Sequence, residues 1–113
     1  METILDLSTE ERSVLRELRL AIQKEFPDWS FRLTLFGSRV RGDAAADSEV
    51  DVLVEIDSHC ISLEEKRRVR RLAGILSLHS GLVLSLLIAG RLMIEQRGDF
   101  SVFRNIREEG LTV

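Results

Sequence analysis

The sequence predicts an α/β (α+β) fold in which a small mixed β-sheet is packed with helices. Three observations predict it. Apolar runs of strand length alternate with segments of helical periodicity, in the order helix, strand, strand, helix, strand, helix, helix. Two helices are opened by capping boxes, Ser8-Thr9-Glu10-Glu11 and Ser62-Leu63-Glu64-Glu65. The run Val50-Asp51-Val52-Leu53-Val54 is apolar on both faces beyond Asp51, the pattern of a central strand. A chain of 113 residues suits one domain, residues 1–113, with a core that needs no disulfide or structural metal.

Each element has its own signal. After the Ser8 cap, Val14, Leu15, Leu18, Ala21, Ile22 and Phe26 recur at helical spacing, and Pro27 stops the helix. Residues 31–36 read as a strand that ends at a Gly37 turn, where the Ser38 hydroxyl is placed to cap a short helical turn. Residues 42–48 form a small-residue loop, and 50–56 the second strand. The second capping box opens a helix to about residue 79, with Leu63, Val69, Leu72, Ala73 and Leu76 as its apolar face and Gly81 as its end. Residues 82–88 read as a third strand and 91–96 as a short helix, broken near Gly98. A last helix over about 100–109 places Val102, Phe103 and Ile106 on one side.

Composition narrows the function classes. A net charge of −3 argues against bulk affinity for nucleic acid, while leaving local basic patches open. The single cysteine, Cys60, cannot form an internal disulfide. The acidic start, Met1-Glu2-Thr3-Ile4-Leu5-Asp6, lacks the basic region and apolar run of a signal peptide. The longest apolar stretch, residues 82–89, is far too short to span a bilayer. The expectation is a soluble cytoplasmic protein without a membrane anchor.

Chemistry concentrates in Gly37-Ser38-Arg39-Val40-Arg41-Gly42 and Ser48-Glu49-Val50-Asp51. In an extended strand residues i and i+2 share a face, so Glu49 and Asp51 aim two carboxylates at one spot, where they could hold a divalent cation. Oxygen ligands suit Mg²⁺, which takes one or two carboxylates plus phosphates and water. Gly37 permits close backbone approach, and Ser38 adds a hydroxyl for the phosphates of a metal-bound nucleotide. Arg39 and Arg41 either pair with a triphosphate or form salt bridges to Asp43 or Asp47. The plain alternatives are a solvent-facing acidic pair and a capped tight turn.

The combination Gly-Ser, ten residues, acidic-x-Asp resembles the nucleotidyltransferase superfamily related to DNA polymerase β. The short length is similar to its smallest branch, the minimal nucleotidyltransferases. The resemblance runs from the first helix to the closing Phe103-Arg104-Asn105-Ile106-Arg107-Glu108-Glu109-Gly110. It implies the polymerase β-like fold, ATP or another NTP as substrate, and Mg²⁺ as cofactor. It also implies Glu49 and Asp51 as the metal-holding catalytic acids, and Arg41 as structural or site-supporting. Relatives of this size commonly pair with a helical HEPN ribonuclease toxin, as antitoxins that in some cases add AMP to a toxin tyrosine. The resemblance therefore implies a HEPN-type partner. Two positions depart from the family pattern: Glu49 stands where Asp is usual, and Ser85 lies about where many relatives carry a third Asp. Both leave open a second class, a non-catalytic antitoxin that acts by binding alone. A homo-oligomer also remains open.

Other residues read as structural. Lys66, Arg67, Arg68, Arg70 and Arg71 cover the helix outside its apolar stripe, with Glu64 and Glu65 expected to offset them by i,i+3 and i,i+4 pairing. That charged face is a solvated surface, an acidic-partner surface or an RNA contact, and no interleaved aromatics favour the last. His59 and Cys60 lack the second ligand pair of a zinc site. His79 suits a helix C-terminus, Trp29 covers core, and Ser85 is expected as a satisfied core serine.

Overall fold

The computed structural model describes residues 7–37, 49–58, 60–97 and 100–113. In chain order the elements are α1 (Thr9–Glu25), β1 (Phe31–Phe36), β2 (Val50–Ile56), α2 (Leu63–Ser80), β3 (Leu84–Gly90), α3 (Arg91–Gln96), α4 (Ser101–Glu109) and β4 (Leu111–Thr112). The expected Ser38 turn, the 42–48 loop, His59 and the Gly98 break lie outside the described residues.

Both capping boxes form. The Ser8 N–H donates to Glu11 Oε1 at 2.8 Å, and the Glu11 N–H donates to Ser8 Oγ at 3.0 Å. At the start of α2 the Ser62 and Glu65 pair repeats this at 2.9 and 3.0 Å. Each box satisfies donors that a helix start leaves without intrahelical partners. Gly81 ends α2 in the left-handed region (φ 79°), its N–H bonded to the Ser77 carbonyl at 3.1 Å.

The strands form one mixed sheet in the order β3-β2-β1-β4. β1 is antiparallel to β2 and β4, and β2 is parallel to β3. β2 is therefore interior, as its two-sided apolar pattern requires. Alternation along the strands then builds two layers. Leu33, Leu35, Val50, Val52, Val54, Ile56 and Ile88 join Val14, Leu15, Leu18 and Ile22 of α1 and Val69 and Ala73 of α2 in the main core. The opposite face carries Leu53 and Ala89, which pack with Phe103 and Ile106 of α4, with Phe36, Leu87 and Ile94 beside them. Asp51 belongs to this second face by parity with Leu53.

Several expectations are corrected. Leu63 is exposed and does not share the apolar face of α2, because at 100° per residue it stands about 120° from Val69. Val102 is likewise exposed, unlike Phe103 and Ile106. β3 covers Leu84–Gly90 rather than 82–88. The Leu82 N–H donates to Ser80 Oγ and the Leu84 N–H to Ser77 Oγ, which ties the connection to the end of α2. Glu65 is held in the capping box, and Arg68 reaches across to Glu25 of α1, Nε to Oε2 at 2.8 Å, rather than to an acid on its own helix. The same guanidinium sits 4.6 Å from the Phe26 ring centroid, and Phe26 stacks on half-buried Trp29 at 3.8 Å. β4 was not legible in the sequence. It pairs with Thr34 and Leu35, and Gly110 lets the chain pass there, since a Cβ on it would come 2.6 Å from Thr34 Cγ2. No helix among the described residues is long and apolar enough to cross a membrane.

Candidate functional site

The antiparallel pairing of β1 and β2 brings the end of one strand to the start of the other. Phe36 lies opposite Asp51, so Gly37 leaves β1 beside the first residues of β2. Gly37 has φ 84°, a backbone conformation that side chains with a Cβ rarely adopt. A Cβ built on it would overlap Asp51 Oδ2 and stand 3.2 Å from Cγ and 3.3 Å from Cβ of the same residue. Glycine is thus required twice at this position, by conformation and by space. The main chain of the turn lies directly against the Asp51 carboxylate.

Asp51 is half-buried, and Glu49 is exposed just before β2. Asp51 lies on the sheet face opposite the main core, by parity with Leu53, and Glu49 immediately precedes the first strand residue. The parallel ladder then sets Ser85 of β3 against Asp51. Ser85 is half-buried on that same face, and its hydroxyl has no hydrogen-bond partner among the described residues. It is therefore not the satisfied core serine expected; it stands next to the acid. Ser38, Arg39 and Arg41, the other nucleotide-binding candidates, lie outside the described residues.

The donor set fits a hard divalent cation. Glu49 and Asp51 could supply carboxylate oxygens, with Ser85 a neighbouring hydroxyl and the Gly37 main chain close beside Asp51. Among the described residues no three His, Cys, Asp or Glu cluster. Mg²⁺ needs no such cage, because it retains water and phosphate ligands.

Further along the same face is a cavity of about 490 Å³ that the sequence reading missed. Thr34, Leu53, Glu55, Ile94, Phe103 and Ile106 are among its walls. The step from Asp51 to Leu53 is one strand repeat of roughly 6.7 Å. Strand parity was the available signal: Leu53 and Glu55 follow Asp51 at intervals of two. Arg32 pairs with Glu55 at 3.1 Å at its rim.

Comparison with known proteins adds an independent observation. A family model described as "Nucleotidyltransferase domain" matches residues 15–105. Two curated proteins of Methanocaldococcus jannaschii are similar to the chain. One is named "Putative protein adenylyltransferase MJ0141", 32% identical over 75 residues that cover 66% of this chain and 75% of that protein. The other is named "Putative protein adenylyltransferase MJ0604", 26% identical over 103 residues, covering 88% and 94%.

Proposed function

Because the chain belongs to the nucleotidyltransferase domain family, we propose that it transfers AMP from Mg-ATP to a protein acceptor, as antitoxin to a helical HEPN-type ribonuclease. The observation that carries the site is the Gly37 main chain lying against the Asp51 carboxylate, which brings a phosphate-accepting turn and a metal-holding acid together. The acceptor class rests on the names of the two relatives, both called protein adenylyltransferases. The partner class rests on the family resemblance.

In this reading Glu49 and Asp51 hold Mg²⁺, and Gly37, Ser38, Arg39 and Arg41 receive the triphosphate. Held there, Mg²⁺ would offset charge on the phosphates and favour loss of the acceptor hydroxyl's proton. An acceptor hydroxyl attacks the α-phosphorus, the bond from that phosphorus to the bridging oxygen breaks, and pyrophosphate leaves. The work left to the protein is alignment and charge stabilisation. Ser85 offers a hydroxyl beside Asp51 where a carboxylate would otherwise take the acceptor proton. That proton must pass to another base, such as one carried by the acceptor protein.

A second reading is favoured by Glu49 and Ser85: an antitoxin that neutralises its partner by binding, with a degenerate nucleotide site. Incubation of the chain and a HEPN-type partner with ATP labelled at the α-phosphate separates the two. Label on the partner that is lost in Asp51→Ala and absent with γ-labelled ATP supports transfer of AMP. A tight, inhibited and unlabelled complex supports binding alone.

A further inference from the structure

The outward face of α2 serves neither the core nor the nucleotide site. Val69 and Ala73 point into the core, and the exposed arc of the helix carries Leu63, Arg67, Arg71, Gly74 and Leu78, with Arg70 at its flank and one carboxylate, Glu64, among the three arginines. Leu63 is 63% exposed and Leu78 85%, with Ile75 at the edge of the arc. Leu63, Arg67, Arg70, Gly74 and Leu78 follow one another at steps of three and four, the spacing of a helix–helix seam. Arg68 is occupied by Glu25 and Phe26, whereas the guanidinium groups of Arg67, Arg70 and Arg71 have no ion pair or hydrogen bond among the described residues.

Gly74 sits in the middle of this seam. A mid-helix glycine is less favourable than alanine. Nothing among the described residues demands it. Its φ is not positive, and a Cβ built there meets no atom within 4 Å. A second helix crossing at that point would use the missing side chain, since interaxial distance depends on the residues at the crossing.

We infer that the outward face of α2 docks an acidic amphipathic helix of a partner protein. The partner crosses at Gly74, with its apolar side on Leu63 and Leu78 and its carboxylates on Arg67, Arg70 and Arg71. The seam from Leu63 to Leu78 is about 22 Å long at 1.5 Å per residue, so the docked helix has about four turns. Charge selects this occupant. A second copy would set one arginine-rich arc against another. A lipid surface requires apolar and basic residues on separate faces, and here the arginines stand between the leucines. RNA would leave Leu63 and Leu78 unmatched, and the arc has no aromatic side chain for base stacking. The inference does not depend on nucleotidyl transfer.

The test uses a fluorescein-labelled helical peptide of about four turns, roughly two heptads, with leucine at its core positions and glutamate beside them. A scrambled peptide of the same composition is the control, and both are read by anisotropy near physiological salt. The helical peptide is expected to bind, and Arg67→Glu with Arg71→Glu is expected to weaken it about tenfold or more, with binding restored by a lysine-bearing peptide. Gly74→Gln is expected to weaken binding while holding or raising Tm, which a folding defect would not do. The inference is overturned if the scrambled peptide binds equally or the variants bind as wild type does. It is also overturned if the face instead takes up anionic vesicles or RNA, or forms a dimer that Leu78→Ser dissolves in sedimentation.

Discussion

Gly37 and Asp51 act as one unit, and their contact explains why some single residues could be read from sequence and others could not. The expectation that Glu49 and Asp51 pair rests on a local signal, strand parity, in which two residues apart means one face. A tight turn at Gly37 was legible from the glycine that ends the apolar run, and the structure adds its left-handed conformation. The contact between Gly37 and Asp51 was not, because it depends on the pairing of two strands across a long loop. Gly37→Ala is expected to lower stability by about 1–2 kcal/mol from its φ alone, as read by urea unfolding. The same change should reduce transfer more than stability accounts for, because the new methyl displaces the Asp51 carboxylate. Glu49→Asp tests the site from the other side. Glutamate is longer by one methylene, roughly 1.5 Å, and a misplacement of about 1 Å can reduce a rate around a hundredfold. The shorter acid is therefore expected to raise the initial transfer rate by about tenfold or more; an unchanged rate would mean that Glu49 holds nothing in the reaction.

Elements were legible wherever their ends carried chemistry. Ser8 and Ser62 with their partner glutamates fixed two helix starts, and Gly81 fixed an end. Ser8→Ala is expected to remove about 1 kcal/mol of stability in a denaturant titration. Gly74→Ala is expected to add roughly 0.5–1 kcal/mol by the same measurement, since the position is open and helical. The misreading of Leu63 shows the limit of apolar identity as a signal. Its residue type suggested the core face, but its phase around α2 turns it to solvent. β4 was missed because two residues carry no periodicity, and what makes Leu111–Thr112 a strand is the edge of β1 waiting for a partner. Ser85 was misread for a related reason. An apolar neighbourhood in sequence suggested a satisfied core hydroxyl, whereas the register of β3 on β2 sets it against Asp51, near where the resemblance implied a third acid.

At the scale of the molecule, two-faced β2 divides the labour. One face, through Val50, Val52, Val54 and Ile56, is closed by α1 and α2 and supplies stability. Among the described residues the other is covered by α3 and α4 only in part, and Asp51 and a cavity lie on it. Leu18→Ala, in the closed layer, is expected to remove about 2–5 kcal/mol of stability without touching either acid. The layered α/β order was legible because alternation of periodicities is a property of the whole chain. How the described short helices cover the other face was not, since it is set by the packing of helices whose apolar residues include exposed Leu92, Met93 and Val102. The central claim is that this open face transfers AMP to a protein. Intact-mass measurement of a HEPN-type partner after incubation with the chain, ATP and Mg²⁺ tests it most directly. The account predicts a mass gain of one AMP per acceptor site that disappears with Asp51→Ala. A partner bound and inhibited at unchanged mass, or modified equally by Asp51→Ala, would contradict it.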